Sequence, residues 1–146
     1  MDAATTHFSQ SIEGGKFVDP NQAEIDSLLD YGRKLVRTDP DSAIEVLNLA
    51  IQLTDSNSLP RAAIYRQMSN AYFYKDSFER AVSINNLAIG IRSRNAMDSA
   101  NMAEMAVLYY NNALNLQYSY NYIKAVSAAE QAIPLFEKTG NDYFMS

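Results

Sequence analysis

The stretch AYFYKDSFERAVSINNLAI, Ala71 to Ile89, is followed further on by LQYSYNYIKAVSAAEQAI, Leu116 to Ile133. A shift of 44 residues aligns them. Tyr74 then falls on Tyr118, Phe78 on Tyr122 and Arg80 on Lys124. Ala81, Val82 and Ser83 fall on Ala125, Val126 and Ser127, and Ala88 and Ile89 on Ala132 and Ile133. A shorter echo lies upstream, where Ala43 and Ala50 stand seven apart, 38 residues before Ala81 and Ala88. Repeats of this period mark stacked supersecondary units, because one helix hairpin cannot bury its apolar face until a neighbour covers it.

The pattern around these stretches is helical. From Asn21 onward apolar residues recur at three and four, without strand-like alternation. The first helix follows DPN and carries Ile25, Leu28, Leu29, Gly32, Leu35 and Val36 on one face. Pro40 ends it and suits the first turn of the second helix, with Asp39 as N-cap. The second helix shows Ala43, Val46, Leu47, Ala50 and Leu53, and Ser58 and Pro60 open the third in the same way. The third runs from about Leu59 to Lys75, the fourth from Ser77 to Arg94, the fifth from Ser99 to Ser119 and the sixth from Tyr122 to Lys138. Gly140 suits the last C-cap, and Pro134 is expected to bend or loosen the final turns. The expected organisation is a flexible tail over 1–20, then three helix pairs over 21–56, 58–95 and 98–140. Residues 141–146 read as the start of a fourth unit or a C-terminal tail, with Tyr143, Phe144 and Met145 as adhesive residues.

These units resemble the tetratricopeptide repeat. That family places a bulky residue, a Leu, a small residue and a Tyr on its first helix, and Ala, an aromatic and Ala on its second. The middle unit supplies Tyr65, Met68, Ser69, Tyr72, Ala81 and Ala88, with Asn85 replacing the aromatic. The third supplies Tyr109, Ala113, Leu116, Ala125 and Ala132, with Asn112 replacing the apolar residue. The first fits through Gly32, Leu35, Ala43 and Ala50. The resemblance covers residues 22–140 and implies an all-α, right-handed superhelical array of three antiparallel hairpins. The spacings of 38 and 44 exceed the family's basic length of about 34. Long units with a PDSAI turn are similar to the sensory repeat regions of bacterial signalling proteins.

Catalytic constellations are not legible. His7 is the one histidine, and there is no cysteine, so neither a thiolate metal site nor a histidine-based triad can be written. EGGK at 13–16 fails as a phosphate loop, because Gln10 stands where a glycine is needed and Phe17 where Ser or Thr is needed. Asp26, Asp30, Asp39 and Asp41 read as solvated carboxylates and caps. The sequence therefore reads as non-catalytic, with no cofactor. A net charge of −5 argues against non-specific nucleic-acid binding. No apolar run approaches the ~20 residues that span a bilayer. The N-terminus has no signal-peptide pattern, so a cytoplasmic location is the default and a periplasmic one requires a removed signal.

The resemblance implies that the first helix of each pair lines a concave groove. The first unit offers Leu29, Asp30, Arg33, Val36 and Arg37, and the middle one Ala63, Arg66, Gln67, Asn70, Phe73 and Tyr74. The third offers Val107, Tyr110, Asn111, Leu114, Gln117 and Tyr118. The residues expected to carry binding are Arg33, Arg37, Arg66, Gln67, Asn70, Tyr74, Tyr110, Asn111, Leu114 and Tyr118. Their amides match an extended backbone, their tyrosines offer rigid contact area, and their arginines suit an acidic side chain or a C-terminal carboxylate. The expected function is a scaffold for a peptide or protein segment. Two other roles fit the same residues: a sensory input region, and an assembly module that forms homo-oligomers through an uncapped C-terminal end.

Overall fold

The computed structural model describes residues 11–13, 16–18 and 21–140. Six helices follow in sequence: α1 (Gln22–Leu35), α2 (Pro40–Ile51), α3 (Leu59–Tyr74), α4 (Phe78–Ser93), α5 (Ser99–Tyr118) and α6 (Tyr122–Thr139). They pair as α1 with α2, α3 with α4 and α5 with α6, and α3 and α5 dock on the hairpins before them. Two short strands precede them. Strand β1 (Ser11–Glu13) pairs antiparallel with β2 (Lys16–Val18), Ile12 opposite Phe17. The sequence reading placed only a tail here, yet the two intervening residues are glycines, a composition that favours tight hairpins. The rest of that tail with His7, and Tyr143, Phe144 and Met145, lie outside the described residues.

Local chemistry sets the helix ends. Asp39 caps α2 by accepting from the Ser42 N–H, and from the Ser42 hydroxyl at 2.7 Å. These two bonds, the hydroxyl first, hold its carboxyl below the usual carboxylate range. Ser58 caps α3 through the Arg61 N–H, and Asp98 caps α5 through the Asn101 N–H at 2.8 Å. Gly140, at φ 67°, ends α6, which runs on through Pro134 to Thr139. The turns after α3 and α5 are twins. Asp76 and Tyr120 occupy the left-handed region at φ 61° and 64°. The Ser77 N–H reaches back to the Tyr72 carbonyl, and the Asn121 N–H to the Leu116 carbonyl. Leu53, expected on α2, lies in the turn beyond its end.

The hairpins close on small residues. Gly32, Ser69 and Ala113 occupy the small-residue position of the repeat on the three first helices. A Cβ on Gly32 would stand 2.7 Å from the Leu47 side chain, which is wholly buried. Ser69 is buried, and its hydroxyl donates to the Ala81 carbonyl at 2.7 Å. Ala43, Ala50, Ala81 and Ala88 are fully buried and Ala132 nearly so, whereas Ala125 in the last hairpin is only half-buried.

Stacking between hairpins differs along the array. Ile25, Leu47, Ala50, Ile64, Met68 and Ala71 form one apolar core joining the first two hairpins. A smaller cluster of Ala62, Ala88, Ile91, Met105 and Leu108 joins the second to the third. Amides complete that second seam. Asn85, fully buried, donates to the Leu108 carbonyl at 2.7 Å and to Asn112 Oδ1 at 3.0 Å. Asn112 in turn donates to Asn86 Oδ1 at 2.9 Å. At the far end buried Asn101 donates to the Arg92 carbonyl, and Arg92 donates to Asn101 Oδ1. The two departures from the family pattern are thus partners of each other.

Gly32→Ala should destabilise the chain by about 1–3 kcal/mol in urea unfolding, because Leu47 has nowhere to move. Gly90→Ala, on an open stretch of α4, should be neutral or stabilising by about 0.5–1 kcal/mol. Equal effects at the two sites would refute close approach at the α1–α2 crossing.

Candidate binding cleft

A cleft of about 510 Å³ opens between α1, α3 and α5. Its walls come from the first helix of each pair, because the second helices α2, α4 and α6 take the other side of each hairpin. Arg33, Arg37, Arg66, Gln67, Asn70, Tyr74, Tyr110, Asn111 and Leu114 line it, as do Val36, Phe73 and Val107. Tyr118 does not. It lies beyond the cleft's end, stacked on Phe78 at 5.3 Å and 20°, with Phe73 edge-on to it. The aromatic at the start of α4 draws it away, a long-range contact that helical spacing does not encode. Asp30 and Gln117 also stand outside the cleft, whereas Lys34, Thr38 and Asn115 line it without having been expected there. Lys34 was foreseeable as the next residue along from Arg33.

Charge is the cleft's most distinctive property. Arg33, Lys34, Arg37 and Arg66 line it, with no Asp or Glu among the lining residues. The acids stand behind. Asp30 accepts from Arg33 and, at 3.0 Å, from Lys34. Lys34 first and Arg33 second hold its carboxyl below the usual range. Arg66 bonds Glu104 at 2.8 Å, and that carboxylate also lies 3.9 Å from Arg92. Arg37 has no carboxylate within ion-pair reach among the described residues, and its guanidinium lies 5.7 Å from the Tyr74 ring centroid. Five cations, Arg33, Lys34, Arg37, Arg66 and Arg92, thus face two acids, Asp30 and Glu104, an excess of three in a chain whose net charge is −5.

Arg66 and Arg92 meet Glu104 at the floor of a second, smaller cleft of about 240 Å³, which also holds Leu29, Ala63 and Gln67. Burial pushes the Arg92 guanidinium down from its ordinary value, and Glu104 opposes that push. The pairing of Arg66 with Glu104 spans 38 residues and joins the second hairpin to the third, so it follows from the docking of α5 on the α3–α4 hairpin. Amides furnish the remaining polar lining. Asn70 donates to Gln67 at 3.3 Å, a long bond that leaves most of both amides' capacity open. Among the described residues no group of three or more His, Asp or Glu stands close enough to hold a metal ion, and no helix is long and apolar enough to cross a membrane.

The arrangement of stacked hairpins with a concave first-helix face matches a solved structure. The tetratricopeptide repeat domain of Arabidopsis FLU superposes with a TM-score of 0.71 over 82% of this chain and 99% of that one, at 17% identity. The fold is that of a tetratricopeptide repeat array. No family model matches the sequence, and no curated protein does. At that identity the tetratricopeptide likeness concerns backbone architecture, and the cleft's side chains are this chain's own.

Glu104→Gln should lower stability by about 1–2 kcal/mol in urea unfolding, because it leaves the buried Arg92 charge beside Arg66 without its carboxylate. An unchanged midpoint would show that the cluster bears no weight.

Proposed function

We propose that the protein is a scaffold that holds an acidic segment of another protein, laid along the cleft between α1, α3 and α5. The observation that carries this reading is the cleft's lining: four cations, no acids, and open amides, within an acidic chain. Charge of that kind selects and steers a partner of opposite sign more than it adds raw affinity. Gln67, Asn70 and Asn111 can meet the backbone of an extended segment, since each amide both donates and accepts. Phe73, Tyr74 and Tyr110 supply apolar area that loses little side-chain freedom on contact. Arg37 is the leading anchor, because no acid among the described residues competes for it and Tyr74 braces it. Arg66 is the conditional one, since a ligand carboxylate must share it with Glu104. The tetratricopeptide fold, a common interaction scaffold, agrees with this use of the concave face.

The test is capture from the native host on immobilised wild-type protein, Arg37→Glu and Asn70→Ala. Arg37→Glu should retain the same partner at least about tenfold more weakly, and Asn70→Ala more modestly, while both keep the wild-type helical spectrum. Binding should also weaken as salt is raised. Equal capture by all three proteins would remove the cleft from the account.

A further inference from the structure

The outer face of α6 carries a stripe of exposed apolar side chains. Tyr122 is 58% exposed, Val126 57% and Ile133 46%, and Ile123 reaches 87%. The internal repeat shows what such a face is built to meet. Shifted back by 44, Tyr122, Val126 and Ile133 correspond to Phe78, Val82 and Ile89 of α4. Those three are half-buried, because α5 lies along them. Phe78 stacks under Tyr118 of α5, and Ile89 packs into the cluster that contains Met105 and Leu108. The α6 side chains keep the apolar character of a covered seam, and the described residues supply no cover.

Polar positions refine the match. Asn112 of α5 donates to Asn86 of α4 at 2.9 Å, and Glu130 stands where Asn86 does. A cation on the incoming helix would satisfy that carboxylate. Ala129 replaces Asn85, so this seam needs no buried amide. Glu79, a solvated charge in the covered repeat, is replaced by Ile123, which widens the apolar stripe. Tyr120 extends it further. It sits at φ 64°, a region costly for a residue without the short polar side chain of its twin Asp76, yet it is 79% exposed and edge-on to Tyr122.

We infer that this face docks an amphipathic helix of a partner protein, laid along α6 as α5 is laid along α4. Its apolar seam meets Val126 and Ile133, its lysine or arginine meets Glu130, and an aromatic ring near its C-terminal end stacks on Tyr122. The site is independent of the cleft, to which α6 contributes no side chain.

The probe is a labelled synthetic peptide of residues 98–119 of this chain, the α5 segment, carrying Asn112→Lys, titrated with the whole protein by fluorescence anisotropy. The wild type should bind it. Val126→Glu and Ile133→Glu, at exposed positions that leave the circular dichroism spectrum unchanged, should each bind at least about tenfold more weakly. Arg37→Glu should bind as the wild type does. Glu130→Lys should lose affinity and regain it with a peptide carrying Asn112→Glu. No binding, or equal binding by Val126→Glu and Ile133→Glu, would overturn the inference. So would sedimentation showing a wild-type dimer that either variant dissolves, since the face would then belong to a second copy.

Discussion

Where α5 lies on α4, the seam closes on amides as much as on hydrocarbon. Asn85 gives both its protons across the interface, to the Leu108 carbonyl and to Asn112. Its own Oδ1 has no hydrogen-bond partner among the described residues. A buried polar pair of this kind adds modest net stability, but any slip in register leaves its members unpaired in a dry environment. Hydrocarbon alone tolerates sliding. The amides therefore fix where α5 sits, and α5 supplies one wall of the cleft. They also place Glu104 against Arg66 and Arg92, so the charge arrangement depends on the same register.

The cleft follows from this stacking. Small residues at the crossings, Gly32 against Leu47 and Ser69 against the Ala81 carbonyl, let each hairpin close tightly. The first helices are then free to present long polar side chains to one shared hollow. Acids placed behind that hollow, at Asp30 and Glu104, hold three of the arginines and lysines in position without entering the lining, and Arg37 stays unpaired among the described residues. Such an arrangement keeps positive charge directed into the cleft while limiting its cost to the folded chain.

Much of the architecture was legible because it is local. Apolar recurrence marked six helices, and Asp39, Ser58 and Gly140 marked ends that the structure reproduces within a residue or two. The cleft was legible through the family resemblance, which converts helix position into groove position. What escaped is non-local. Asn85 and Asn112 read as two separate blemishes, since nothing in either unit alone shows that they meet. Glu104 lies on the fifth helix and was not singled out, though it governs Arg66 one repeat away. Tyr118 left the expected lining for the ring of Phe78. The 11–13 and 16–18 pairing was hidden because two three-residue strands carry almost no periodicity.

A double-mutant cycle of Asn85→Val and Asn112→Leu, followed by urea unfolding, tests the seam most directly. Each single change should destabilise, because it strands the other amide, by about 1–3 kcal/mol. The double variant, with apolar groups on both sides, should recover part of that loss, giving a coupling of at least about 0.5 kcal/mol. Effects that simply add would show that the two amides do not hold α5 in place.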